Sequence, residues 1–362
     1  MRRYFLLMAL LWALLVTIFD FSYLGLYQYQ GDTESYTNMI EYFATGHKPA
    51  DQEMLARTNV RFLKPVYGIM GAALHPIFEP KLALWLMNIV FYFGCIALLF
   101  IILDKYLKLG SKYACLGAIW FASGYPLLKY GFGLLTDIGG YFFALLGIWF
   151  YLSTLEKEKN YKYLLLGVIS GVGLACKETG GLSIIFIFLH TLLSIKQIGF
   201  KQAIKRWVLV GLPFALIAAG TQFLGYKLSG LSYADWIKLS ESLFGAHFRT
   251  IKYFIGTQGA AFNALWLFVL AALINYKEII KNKILISLVV MTLPILAWPI
   301  FITRILYFQF LYVIPLALMG LRDVMAYPKL KLPSWSFWPL AALPVLTSLL
   351  LFFSFGQGTA FH

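Results

Sequence analysis

Charge is scarce in this chain. Asp, Glu, Lys and Arg make up 13% of its 362 residues, against about 25% in an ordinary soluble domain. Hydrophobic residues account for 60% and aromatics for 18%, and a soluble fold of this length has no way to hide so much apolar surface. Acidic residues are the scarcest charges, 16 against 30 basic ones, for a formal net charge of +14. Cysteine is limited to Cys95, Cys115 and Cys176, all in or at the ends of apolar runs and in no metal-ligand spacing. Neither a disulfide framework nor a zinc site is expected from them, and they read as small apolar packing residues. The five histidines are widely scattered, which argues against histidine-centred chemistry. The chain has no phosphate-cradling glycine loop and no Ser/His/Asp constellation. It also lacks an internal repeat, so the inverted-repeat signature of many transporters is missing.

Apolar runs fill the space these absences leave. They fall at about 4–26, 82–103, 113–128, 133–153, 161–176, 180–195, 207–225, 261–276, 284–302, 304–321 and 336–354, many of them near the ~20 residues that cross a bilayer core. The expected fold is an all-α, polytopic transmembrane protein of about eleven spans. Segment 66–78 is apolar but short, and is expected to be a re-entrant or interfacial helix. The first run follows Arg2 and Arg3 as a signal peptide would, yet its core is long and no small-x-small cleavage site precedes Gln28. It is expected to stay as an uncleaved anchor.

The basic residues orient the spans. With the N-terminus cytoplasmic, 18 of the 30 basic residues and five of the 16 acidic ones fall on the inner side. The excess positive charge is then a topology signal, which removes the nucleic-acid reading that a +14 chain otherwise invites. Two sizeable outer loops result, at about 27–81 and 226–260. Polar chemistry is expected on that outer face.

The first outer loop opens at Asp32, Glu34 and Tyr36. Tyr36, Met39, Ile40 and Phe43 then recur at helical spacing up to Gly46, which predicts an amphipathic helix on the membrane surface. Asp32 either caps that helix or accepts a proton from a hydroxyl nucleophile at the water–lipid boundary. Glu34 is a helper or a solvated first-turn acid. Arg57, Arg61 and Lys64 at i, i+4 and i+7 form a basic stripe for a phosphate or for headgroups, although Pro65 disfavours helix at Lys64. His75 reads as a packed polar residue more readily than as a ligand. Asp137, at the outer end of the fourth span, caps a helix with Thr136 or faces a cavity. Lys177 and Glu178 pair with each other, or the lysine reaches a phosphate. Tyr233, Asp235, Glu241, His247, Arg249 and Lys252 populate the second outer loop, where His247 and Arg249 either bind an anionic group or are simply solvated. Arg304 breaks an apolar stretch and either snorkels to headgroups or clamps a lipid phosphate.

This pattern resembles the GT-C superfamily of integral-membrane glycosyltransferases, which includes protein O-mannosyltransferases and the lipid A aminoarabinose transferase. Four stretches carry the resemblance. They are Gly31-Asp32-Thr33-Glu34-Ser35-Tyr36, then Lys64-Pro65-Val66-Tyr67, then Leu135-Thr136-Asp137 with Lys177-Glu178-Thr179-Gly180, and lastly the run from Arg304 to Pro315. The chain departs from many protein O-mannosyltransferases in that Thr33 separates Asp32 from Glu34. That spacing leaves an Asp-x-Glu site for Mg or Mn open, although no cofactor is required by the pattern.

The resemblance implies a GT-C-like catalytic module over 1–321, followed at 322–362 by a cytoplasmic loop and the last span. It implies a polyprenyl-phosphate-linked sugar donor, a lipid, glycan or protein acceptor, and inversion at the anomeric carbon. Asp32 is the implied general base and Asp137 a second catalytic acid. Arg61, Lys64, Lys177, Glu178, His247, Arg249 and Arg304 are implied to bind substrate and phosphate, with Glu34 and Tyr36 as auxiliaries. The expected setting is the plasma or inner membrane, with the active site facing outward. The rival reading from another class is a transporter or lipid flippase.

Overall fold

A computed structural model describes residues 1–24, 32–48, 52–130, 136–244, 250–298, 301–327, 330 and 332–355. These residues are predominantly helical and contain no strand. The helices run in order α1 (Arg2–Leu24), α2 (Thr33–Thr45), α3 (Gln52–Arg61), α4 (Val66–Leu74), α5 (Pro80–Ile101), α6 (Ser111–Ala122) and α7 (Tyr125–Tyr130). They continue as α8 (Asp137–Glu156), α9 (Asn160–Cys176), α10 (Glu178–Gly181), α11 (Ser183–Leu193), α12 (Ile195–Ile198), α13 (Phe200–Ser229) and α14 (Tyr233–Phe244). The last seven are α15 (Ile251–Phe262), α16 (Leu265–Ala272), α17 (Tyr276–Lys281), α18 (Lys283–Thr292), α19 (Thr303–Leu306), α20 (Phe310–Ala326) and α21 (Phe337–Phe355).

Six of the described helices are long and apolar enough to cross a membrane, and a bent pair raises the number to seven. The other expected spans coincide with shorter or broken helices, such as α9, the pair α10–α11, and α18. Large apolar side chains line the outside of the longest helices. On α1 these include Leu7, Leu11, Leu14 and Ile18, and on α13 Val208, Leu212, Leu216 and Phe223, all exposed. Water does not tolerate such continuous apolar faces, and lipid does. The chain is an integral membrane protein.

The chain divides into two compact units. One comprises Met1–Asp20, Ile96–Lys129 and His247–His362. In it, α1 buries one stripe, Ala9, Ala13, Val16 and Asp20, which recurs at helical spacing. The Trp12 indole donates to the Ser123 hydroxyl at 2.7 Å, at the break between α6 and α7. The break also receives the Tyr307 hydroxyl, which donates to the Phe121 carbonyl at 2.9 Å. A Cβ on Gly124 would lie 2.1 Å from that Tyr307 oxygen, so the contact depends on glycine there. The predicted span 261–276 is instead a corner, because α15 and the helical stretch from Leu265 to Lys281 are bent by 99°. Asn263 turns this corner with φ +37°, a region that asparagine enters more readily than most residues. Its amide is held by α21, where Thr347 donates to Oδ1 at 2.7 Å and Ser348 accepts from Nδ2 at 2.8 Å.

The other unit comprises Phe21–Cys95 and Tyr130–Ala246. Its centre is the packing of α8, α9, α10 and α13. Gly167 and Gly171, four apart, let α9 approach α13 closely: a Cβ on Gly167 would meet the Val210 carbonyl oxygen at 2.2 Å. Small residues at this spacing are a common device for close helix contact in lipid. The three cysteines are free and buried, as expected of packing residues.

The α2 helix follows the sequence pattern up to its end, where Gly46 adopts φ +80°. Its surroundings differ from expectation. Tyr36, Met39 and Ile40 are buried, packed on α4 within the same unit rather than laid on lipid. Gly68 and Gly71 make the approach close, since a Cβ on Gly71 would meet Ile40 at 2.5 Å.

A backbone contact of the same kind supports the first unit. A Cβ on Gly320 of α20 would lie 1.8 Å from the Phe268 carbonyl oxygen of α16. Gly320→Ala is expected to lower the melting temperature in detergent, at a cost of about 1–3 kcal/mol for overpacking. Gly256→Ala, which meets nothing within 4 Å inside α15, should leave it unchanged or raise it, since alanine favours a helix interior over glycine by about 0.5–1 kcal/mol. Equal melting of the two variants would contradict the close α16–α20 contact.

Candidate active site

Asp32 occupies the N-cap position of α2 but makes no side-chain capping bond. Its Oδ1 instead accepts from Arg61 Nη2 at 2.6 Å. Its carboxylate is thus aimed at a cation from α3 rather than at the amides of α2. Glu34 is exposed on the first turn, where a negative charge suits the helix dipole.

The expected basic stripe does not form. Arg57 is exposed, whereas Arg61 is buried at 8% and Lys64 at 4% exposure. The reason is Pro65, which forces the chain out of α-helix before Lys64: α3 ends at Arg61 and α4 begins at Val66. Lys64 Nζ is thereby brought onto Glu178 Oε1 as an ion pair. The same oxygen accepts from the Tyr233 hydroxyl at 2.7 Å.

Lys177 and Glu178 do not pair with each other, contrary to one expectation. Lys177 is in extended backbone, φ −159° and ψ 146°, which sends neighbouring side chains to opposite sides. Lys177 Nζ therefore meets Asp137 Oδ1, at 3.2 Å, while Glu178 goes to Lys64. The junction is tight. A Cβ on Gly140 would lie 2.1 Å from the Thr179 hydroxyl, and Gly173 meets Gly180 backbone to backbone. Asp137 sits in the first turn of α8, whose N-cap Thr136 makes no side-chain capping bond. Thr136 donates instead to the Tyr36 hydroxyl at 2.9 Å.

Three acid–cation pairs consequently gather in one unit: Asp32–Arg61, Asp137–Lys177 and Glu178–Lys64. Tyr36 is among them. Arg61 lies 4.9 Å from its ring centroid, within cation–π range. Burial pushes the Tyr36 phenol up, and the charges of Lys177, Arg61 and Lys64 together outweigh that and bring it below its ordinary value. Burial also pushes the Glu178 carboxyl up, but Lys64 and Lys177 overcome the effect and hold it down at about 2. Tyr233 is shifted the opposite way, first by burial and then by the Glu178 charge, so its phenol stays a donor.

Further residues join this cluster, Tyr67 from the Lys64-Pro65-Val66-Tyr67 stretch and others that the sequence did not single out. Tyr67 accepts from the Gly139 amide at 3.1 Å and donates to Asn88 at 2.9 Å, which fixes the start of α8. Trp236 of α14 lies 5.9 Å from Arg61 and 6.0 Å from Lys64, measured to its ring centroid. A tryptophan in a loop carries no spacing signal, and only the fold shows its neighbours. Asp20, buried in α1 of the other unit with Oδ1 lacking a partner, also went unremarked.

Other candidates are placed elsewhere or lie beyond view. Asp235 makes a local bond with Ser232 at 2.9 Å, and Lys252 is exposed. His75 ends α4, half-buried. Arg304 sits half-buried in α19 of the first unit. His247 and Arg249 fall outside the described residues, as does the side chain of Glu241. Among the described residues, no three His, Cys, Asp or Glu side chains gather as a metal site.

Partly buried, paired carboxylates and cations thus surround a phenol on a membrane-embedded helical scaffold. Residues 65–224, somewhat under half of the chain, match the family described as dolichyl-phosphate-mannose-protein mannosyltransferase, which supports a glycosyltransferase of the GT-C type. The matched stretch holds Tyr67, Asp137, Lys177 and Glu178, and begins directly after Lys64. No curated protein matches the chain.

The Glu178 shift has a pH signature. A carboxyl whose folded pKa is depressed, here from 4.5 to about 2, contributes stability above its unfolded pKa and loses it as pH falls through the folded one. At pH 7, Glu178→Gln is expected to cost about 3–5 kcal/mol, because it strands buried Lys64. That deficit should shrink as pH drops from about 5 towards about 2. A melting-temperature difference that is constant over this range would show that the pair does not hold Glu178 ionised.

Proposed function

We propose that the protein transfers a sugar from a polyprenyl-phosphate-linked donor to an acceptor hydroxyl at the outer face of the plasma or inner membrane, with inversion. The observation that carries this reading is the convergence of the Asp32–Arg61, Asp137–Lys177 and Glu178–Lys64 pairs in one unit. An inverting transfer needs a base for the acceptor and positive charge for the departing phosphate. The cluster supplies both kinds of group.

In this reading the Asp32 carboxylate takes the proton from the acceptor hydroxyl. The acceptor oxygen then bonds to the anomeric carbon, and the bond from that carbon to the phosphate oxygen breaks. Its electron pair leaves with the polyprenyl phosphate. Arg61 aims Asp32, and Asp137 orients the acceptor or stabilises positive charge developing on the sugar. Lys177, Arg61 and Lys64 neutralise the departing phosphate, and such preorganised charge is often the largest catalytic contribution. Tyr36 supports the cluster from its centre, and Glu34 plays an auxiliary part. Arg304, His247 and Arg249 are assigned to substrate or phosphate binding from the sequence pattern alone. The catalytic module is taken to span 1–321, with the last helix beyond it. Acceptors of the lipid, glycan and protein classes all fit a hydroxyl nucleophile.

The test is transfer of radiolabelled sugar by purified protein. Asp32→Asn is expected to lower turnover by about 10²–10⁴-fold, the usual contribution of a positioned base, with a smaller loss of melting temperature than Glu178→Gln, because Asp32 is a third exposed while its partner Arg61 is buried. Normal turnover by this variant would remove Asp32 from the mechanism. No transfer by wild type, together with movement of substrate across vesicles, would favour the transporter reading.

A further inference from the structure

The cluster contains polar atoms that the three ion pairs leave unused. Glu178 Oε1 is engaged by Lys64 and Tyr233, while Glu178 Oε2 is buried without a partner. The Trp236 indole nitrogen and the Thr179 hydroxyl are also buried without partners. Native proteins leave few such atoms unmet, and each asks for an explanation. Lys64 ties two of them together, since it pairs with Glu178 and lies 6.0 Å from the Trp236 ring centroid. Thr179 directly follows Glu178, and a Cβ on Gly140 would lie 2.1 Å from its hydroxyl.

Their chemistry restricts the partner. An ionised carboxylate oxygen only accepts, an indole N–H only donates, and a threonine hydroxyl does either. A phosphate group would satisfy Trp236 but offers no proton to Glu178 and repels its charge. An ammonium group would satisfy Glu178 but not Trp236. Neighbouring neutral hydroxyls satisfy all three, since each hydroxyl both donates and accepts.

We propose that Glu178, Thr179 and Trp236 form a subsite for sugar hydroxyls that reads the glycosyl group of the donor, separately from the cations that hold its phosphate. The inference rests on the donor assigned above. It changes the expected part of Glu178, from a phosphate-site residue to an acceptor for a sugar hydroxyl. It also gives α14, which brings both Tyr233 and Trp236, a place in donor selection.

The experiment compares two probes, polyprenyl phosphate and polyprenyl phosphate mannose, binding to the full-length protein in detergent. Wild type is expected to bind the mannose-bearing probe more tightly. Thr179→Val keeps shape, and Trp236→Phe removes the indole N–H but keeps an aromatic ring beside Arg61 and Lys64; both should fold and melt near wild type, whereas Glu178→Gln also strands Lys64. Each of the two conservative variants is expected to weaken the mannose-bearing probe by about tenfold, the effect of one hydrogen bond, and to leave the bare phosphate unchanged. Equal weakening of both probes would assign the residues to phosphate binding or to general structure and overturn the subsite. So would unchanged binding of both, or a wild type that does not distinguish the probes. Failure of wild type to bind either probe is a separate result, which overturns the donor assignment itself and the subsite with it.

Discussion

Lys64 and Glu178 meet inside the protein, where neither side chain keeps its water shell, and much of the candidate site hangs on that meeting. Removing two charges from water is costly, and only a close partner with further hydrogen bonds offsets it. The geometry meets that demand. Lys64 is 4% exposed, its partner oxygen also receives the Tyr233 hydroxyl at 2.7 Å, and Lys177 adds a second positive field on Glu178. The pair joins three separate stretches: the turn between α3 and α4, the junction of α9 with α10, and the start of α14. Once these are fixed, Arg61 at the end of α3 can reach Asp32, and Trp236 is set beside both Arg61 and Lys64.

Charge within this group is balanced, three carboxylates against three cations. Each acid is held by a partner that also aims it, as Arg61 aims Asp32 at 2.6 Å and Lys177 aims Asp137 at 3.2 Å. A balanced, buried group of this kind needs little rearrangement when charge develops in a reaction, which is the condition for efficient electrostatic stabilisation. In the proposed reaction an incoming phosphate would add negative charge to it and compete with the carboxylates for the same cations. The unpartnered atoms on Glu178, Thr179 and Trp236 add one acceptor, one donor and one hydroxyl to the group, the basis of the sugar subsite proposed above.

Local patterns were legible wherever a single stretch of chain decides the outcome. The helical repeat after Asp32 and its end at Gly46 both appear as α2 and its left-handed terminus. The effect of Pro65 on Lys64 was legible as well, because the clash is between adjacent residues. The apolar face of α2 was legible, but what covers it was not. Lipid and a glycine-lined helix such as α4 are alike apolar, and periodicity does not tell them apart. The adjacency of Lys177 and Glu178 was misleading, because an extended backbone at Lys177 separates the two side chains. The corner at Asn263 was hidden inside an apolar run, since the amide that stabilises it bonds to Thr347 and Ser348, far along the chain.

Composition alone determined the solvent of this protein. Few charges and long apolar runs leave lipid as the medium that can accept its surface, and helices as the form that satisfies the backbone there. Sequence order also marked acids and cations that the structure pairs, Asp32, Lys64, Asp137 and Lys177 among them. Tertiary structure alone decided which acid meets which cation, and that Tyr36, Tyr233 and Trp236 stand among them. The reason is physical. Burial and hydropathy accumulate along the chain and can be read from it, whereas an ion pair depends on a distance of a few ångströms, which only the packing of helices sets.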